Sequence, residues 1–238
     1  MKIKELDKWF SSKEYDPENK ELMSILKLGK VKGKKVLVIE SYGLLFISNK
    51  ISKYAESIVC VHNNKKVVNY CKKKNNKICF CIGKIADLTF PDKEFDTIIS
   101  PWAGLHYLKN KVAVIKELRR VLKDDGILLI EESDETSEYV KILNLIAPLK
   151  QIKIRKKRNE LEDILRRYFR VNKSKLTTHY YFKNNLQIKE YFKKEFVFDE
   201  KKIFTKKMDK KLAGYLSKKN TLKIEEKSFF FVCKKRKE

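Results

Sequence analysis

The side chains best suited to chemistry close two short apolar runs and crowd one basic stretch. Ser100-Pro101-Trp102 ends the run Phe95 to Ser100, with His106-Tyr107 close behind, and Glu131, Glu132 and Asp134 end the run Ile127 to Ile130. An imidazole such as His106 can take a proton from a bound group as a general base, or it can simply pack. The carboxylates can orient a bound group, or cap the helix that follows. Arg155, Lys156, Lys157, Arg158, Arg166, Arg167 and Arg170 surround a helical stripe and could meet the phosphates of a nucleic acid.

The elements that must carry these groups follow from periodicity. Val36 to Ile39, Ile58 to Val61, Ile78 to Ile82, Phe95 to Ser100 and Ile127 to Ile130 are short apolar runs, and apolar residues at helical spacing separate them. Helices are expected over Leu44 to Ala55, Asn63 to Lys74 and Val112 to Leu122, with Asp125-Gly126 breaking the chain before the fifth strand. Strands apolar on both faces and alternating with helices make a parallel, doubly wound sheet, whose ligands lie at the carboxyl ends of the strands. Further helices are expected at Lys2 to Phe10, Pro17 to Leu28, Ser137 to Ala147 ended by Pro148, Glu160 to Phe169, Leu186 to Phe196 and Thr205 to Leu216. Leu176 to Phe182 and Ser228 to Cys233 read as an antiparallel pair.

The run from Gly83 to Ser133 resembles the second half of a class I S-adenosylmethionine (SAM) dependent methyltransferase of the type 11 kind. The resemblance rests on Asp87-Leu88-Thr89-Phe90-Pro91-Asp92 with Phe95-Asp96, on Leu105-His106-Tyr107-Leu108, and on Glu117-Leu118-Arg119-Arg120-Val121-Leu122-Lys123 with Gly126. It covers about Lys34 to Ser133. It implies an α/β, Rossmann-like seven-stranded fold, mostly parallel with an antiparallel C-terminal strand. It also implies a helical N-terminal arm over residues 1–30, in which Trp9 and Phe10 could cover the cofactor or merely pack, and a methyltransferase-like domain over 31–238. The basic helix at about 150–172 then reads as an insertion that shapes the acceptor site.

The cofactor implied is SAM, over Ile39, Glu40, Ser41 and Gly43 after the first strand, His62 and Asn63 after the second, and Lys84 and Ile85 after the third. The family pattern departs here. Val38 stands where an acid is usual, Glu40 and Tyr42 replace glycines, His62 replaces the acid that grips the ribose hydroxyls, and Lys84 cannot accept a hydrogen bond from adenine. On the acceptor side, Ser100, Trp102 and His106 are the candidate catalytic residues. Ser100-Pro101-Trp102 stands where base- and amide-methylating relatives hold the acceptor, or forms a plain turn. Two functions stay open: a divergent SAM-dependent methyltransferase acting on RNA or another nucleic-acid-associated substrate, and a catalytically inactive relative serving as a nucleic-acid-binding or partner-regulating subunit.

Composition bounds the rest. The 238 residues carry 56 Lys and Arg against 31 Asp and Glu, a formal charge of +25. The last 89 residues hold +18 of it, a distribution that suits a polyanion such as RNA, although lysine bias from coding or heat adaptation would look similar. No apolar run is long enough to cross a membrane and the N-terminus is too charged for a signal peptide, so a cytoplasmic protein is expected. Five cysteines without CxxC spacing read as reduced buried thiols, and no metal site is expected.

Overall fold

A computed structural model describes residues 15–39, 46–102, 104–200 and 203–236. The expected helix at Lys2 to Phe10, with Trp9 and Phe10, lies outside them, as do Glu40, Ser41, Tyr42 and Gly43. Seven strands form one sheet: β1 Lys35–Val38, β2 Ser57–His62, β3 Cys79–Ile82, β4 Phe95–Pro101, β5 Leu122–Ser133, β6 Phe169–Tyr181 and β7 Lys223–Lys235. Their order is β3-β2-β1-β4-β5-β7-β6, with β1 to β5 parallel and β7 antiparallel to both its neighbours. The expected Rossmann-like architecture is the one observed.

Both faces of the sheet are covered, which is why its central strands are apolar throughout. Helices α1 Lys20–Leu28, α2 Phe46–Ile51 and α3 Lys65–Lys74 lie on one face, where Leu22, Ile25, Ile47, Ile51, Val67 and Val68 pack with Val36, Val38, Cys60, Ile99 and Phe230. On the other, α4 Lys111–Val121 and α6 Pro148–Tyr168 bring Leu118, Val121, Leu161, Ile164 and Leu165 against Phe95, Ile98, Leu128, Ile130 and Phe231. Each of these side chains contributes about 2 kcal/mol by leaving water. A third cluster joins α5 Glu138–Ile146, α7 Asn185–Glu200 and α8 Lys206–Leu216 through Ile142, Ile188, Phe192 and Leu212, beside Phe182 and Ile224.

Four expectations are corrected. Asp125-Gly126 does not separate helix from strand: β5 starts at Leu122, directly after α4, and a register shift between Phe95 and Thr97 absorbs the extra residues. Gly126 is needed there because a Cβ would come within 2.9 Å of the Asp96 carbonyl oxygen. Pro148 opens α6 instead of merely ending α5, since the first helical position needs no N–H, and α6 runs 21 residues to Tyr168. The antiparallel strands β6 and β7 are 13 residues each, because every cross-strand pair from Phe169–Lys235 to Tyr181–Lys223 is kept. Cys79 and Cys81 share a face with their sulfurs 3.7 Å apart, but Cys79 is exposed, because β3 is the sheet edge.

The helix motif Glu117 to Arg120 has a positional role. The Arg120 guanidinium donates to the carbonyls of Leu88 at 2.9 Å and Phe90 at 2.8 Å, and to Asp92 and Glu117, while Glu117 accepts from the Leu88 amide at 2.7 Å. The loop after β3 is thereby fastened to α4.

Candidate active site

The strand order places a crevice between β1 and β4, whose following helices leave toward opposite faces. Ligands of open α/β sheets lie at this switch point. Ile39 continues β1, its amide donating to the Ile99 carbonyl at 2.8 Å. His62 ends β2, and its Nδ1 accepts from the Asn64 amide at 2.9 Å, while the Asn64 side chain caps α3 and Asn63 is exposed. Past β3, Lys84 is exposed and bridges Asp87, and Ile85 is half-buried against the core.

The acceptor-side residues converge at the ends of β4 and β5. Ser100 is 1% exposed and its hydroxyl meets no partner. His106, on a short 3-10 turn at Leu105–Tyr107, is 7% exposed; its ring lies 2.9 Å from Glu132 through Nδ1 and 4.1 Å from the Tyr107 ring. The buried Nε2 has no partner. A carboxylate on Nδ1 holds the proton there and leaves the Nε2 lone pair available, the tautomer a general base needs. Trp102 adopts φ 51°, a left-handed conformation rare for a large side chain, and its indole donates to Glu21 at 2.7 Å.

Sequence reasoning missed the densest feature. Glu21, Glu131 and Glu226 are each at most 1% exposed. Glu21 comes from the first turn of α1, which is seated by Asp16 accepting the Lys20 and Glu21 amides at 3.0 and 2.8 Å. Glu131 accepts from Ser228 at 2.8 Å. Burial, with Glu21 beside it, pushes the Glu131 carboxyl well above the ordinary range; burial does the same to Glu226 and, less strongly, to Glu21. The Glu131 carboxyl faces that of Glu21. Tyr15 and Tyr180 meet nearby with ring centres 4.8 Å apart and planes tilted by 42°, and Thr178 donates to the Tyr15 hydroxyl at 3.3 Å. One signal was available: Ile224, Glu226, Ser228 and Phe230 share one face of β7, so Glu226 is an acid at an inward position.

The basic residues divide. Arg158 is 8% exposed and bonds the Ser133 carbonyl, Arg155 pairs with Glu135 at 3.2 Å, Arg166 pairs with Glu162 at 2.7 Å, and Lys157 lies 5.3 Å from the Tyr107 ring centre. Lys156, Arg167 and Arg170 are exposed and make no ion pair among the described residues. Among the described residues, no group of three or more His, Cys, Asp or Glu could hold a metal ion, and no helix is long and apolar enough to cross a membrane.

Known proteins share the pattern of this sheet edge. Residues 42–130 match the family described as "Methyltransferase domain". That match covers 89 of the 238 residues. The resemblance to class I SAM-dependent methyltransferases is borne out. The domain is 33% identical over 109 residues to phosphoethanolamine N-methyltransferase of Plasmodium falciparum, across 42% of this chain and 41% of that protein. It is 39% identical over 69 residues to an uncharacterized methyltransferase of Schizosaccharomyces pombe, across 29% and 24% of the two chains. The match therefore spans less than half the length of either relative. Among solved structures, a putative methyltransferase of Bacillus halodurans superposes with a TM-score of 0.59 at 13% identity, covering 91% of this chain and 99% of that one. The YcgJ protein of Bacillus subtilis gives 0.58 at 17%, covering 91% and 98%. At such identities the likeness speaks for the fold.

SAM is the cofactor of such a domain, and the described residues fit it. The buried, unpartnered Ser100 hydroxyl lies beside the crevice, where the fold itself gives it nothing to bond. His62 and Asn63 bring polar groups to the end of β2, and Ile85 lies half-buried past β3.

Proposed function

We propose that this chain is a divergent SAM-dependent methyltransferase in which Ile39, His62, Asn63, Lys84 and Ile85 line the cofactor groove and Ser100, Trp102 and His106 face the acceptor. Bound SAM supplies a methyl group already activated on a sulfonium, so the protein's task is to exclude water, align the acceptor and remove a proton. The observation that carries the reading is the His106–Glu132 pair. Glu132 fixes the ring with its buried Nε2 unpartnered, suited to accept the proton that an amine or hydroxyl loses on methylation. Ser100 can hold the acceptor by a hydrogen bond.

A basic surface supports action on RNA or a nucleic-acid-associated substrate. Exposed Lys156, Arg167 and Arg170 carry that reading, which a steep loss of RNA affinity with salt would support. Titration of the purified chain with SAM and its demethylated product, by calorimetry, tests the central proposal. Micromolar binding is expected. No binding at millimolar SAM would remove it and favour an inactive, nucleic-acid-binding or partner-regulating subunit.

A further inference from the structure

The amino edge of the sheet, opposite the candidate active site, holds a cleft of about 730 Å³ whose lining includes Lys93, Lys116, Arg119, Arg120, Lys235 and Arg236. Lys93 precedes β4, the next three share one face of α4, and Lys235 and Arg236 close β7, so three separate segments bring cations to one concavity. Arginines in the last turn of a helix suit its unpaired carbonyls in any protein. Lys93, Lys235 and Arg236 have no such local reason to be there.

The acids in contact with these cations are fewer. Asp124 is shared by Lys93 at 2.6 Å and Lys235 at 3.2 Å, while Asp92 meets Arg120 at 2.6 Å and Glu117 meets the same guanidinium at 2.7 Å. Among the described residues, six cations of the cleft thus face three carboxylates. The Lys235 side chain is only 8% exposed, whereas its partner Asp124 is 66% exposed. A cation withdrawn this far from water gains little from a solvated carboxylate and much from an anion seated beside it. The Lys235 ammonium has three N–H donors, and the Asp124 contact takes one. Arg120 adds its charge, its donors being committed to Leu88, Phe90, Asp92 and Glu117.

A cleft of this size suits a small molecule rather than a single ion. A polynucleotide spreads one charge per nucleotide along a track, whereas an oligophosphate gathers several charges and many acceptor oxygens in one place, as these cations are gathered. Tyr168 brings an aromatic ring to the same cleft. We propose that this cleft binds an oligophosphate group, of the kind that a nucleoside triphosphate carries. The seven residues of β4 separate the two edges of the sheet by about 20 Å, so the bound phosphates lie remote from His106 and are not the methyl acceptor. The site is therefore a second one, and it does not depend on the methyl-transfer reading.

The test is calorimetric titration of the full chain with inorganic triphosphate, with sulfate and with a single-stranded RNA oligonucleotide, at about 0.15 M salt so that long-range attraction is screened. Triphosphate is expected to bind at micromolar concentration, about tenfold or more tighter than sulfate. Lys116→Glu with Arg236→Glu, both exposed in the wild type, should weaken triphosphate about tenfold or more. Lys207→Glu with Lys210→Glu makes the same charge change at exposed positions of α8, which packs beside Phe182 and Ile224 at the other ends of β6 and β7, and should alter it less than about twofold. Should the first pair fail to fold, Lys116→Ala alone should still weaken triphosphate about threefold. No binding at millimolar triphosphate, or equal losses in the two double variants, would overturn the site and leave only a diffuse positive field. RNA binding that the cleft variant weakens, without triphosphate binding, would also overturn it and make these residues part of a nucleic-acid track.

Discussion

Glu226 should make the protein less stable as pH rises, and Glu226→Gln should remove this dependence. The side chain is buried, and neither oxygen completes a hydrogen bond. Burial is the main cause of its raised carboxyl pKa; Ser133 nearby lowers it somewhat, and the charges of Glu195, Asp134 and Glu21 raise it further. A carboxyl that titrates higher in the folded than in the unfolded chain binds more protons when folded, so stability falls with rising pH. The loss begins near the ordinary glutamate value of about 4.3 and continues until the folded protein also releases the proton, at about 1.4 kcal/mol for each pH unit. The neutral carboxamide has no such dependence. Urea unfolding of both proteins at pH 5, 6 and 7 should show the variant close to wild type at the lowest pH and progressively more stable above it. A difference that is constant with pH, or that favours wild type at pH 7, would refute the reasoning by showing Glu226 ionised and well solvated in the fold.

Three further outcomes are expected. Arg120→Ala should cost about 2 to 3 kcal/mol by urea unfolding, since it strips donors from the Leu88 and Phe90 carbonyls and from Glu117, while the exposed Asp92 contact adds little; it should also weaken SAM binding by loosening the loop after β3, and an unchanged unfolding midpoint would show that the loop holds itself. His106→Gln should lower kcat about 10² to 10⁴-fold with the acceptor KM nearly constant, the behaviour of a lost proton acceptor; an equal rise in KM would mean that His106 only binds. Charge reversal at Arg167 and Arg170 should weaken RNA binding and flatten its salt dependence without moving the unfolding midpoint, and unaltered RNA affinity would remove the phosphate-tracking role.

Much of the sheet was legible from composition. Val36 to Val38, Phe95 to Ile99 and Ile127 to Ile130 are apolar on consecutive residues because both faces of those strands are covered. The elements that differed were governed by distant contacts. Local residues mark Asp125-Gly126 as a turn, yet pairing with β4 draws that stretch into β5. Pro148 bars continuation of α5, but only the packing of Leu161 and Leu165 under the sheet shows that a new helix begins with it.

The sequence by itself determined the parallel α/β class, the carboxyl edge as the place for a ligand, and Ser100, Trp102 and His106 as the residues near it. These follow from short-range pattern, because backbone hydrogen bonding and the burial of apolar faces are written within each element. Tertiary structure alone decided which acids meet there. Glu21, Glu131 and Glu226 come from a helix and two strands more than 200 residues apart at the extremes, and nothing local distinguishes them from solvated glutamates. Only the folding of α1 and β7 against the end of β5 buries them together, and burial is what lifts their carboxyls above the ordinary range.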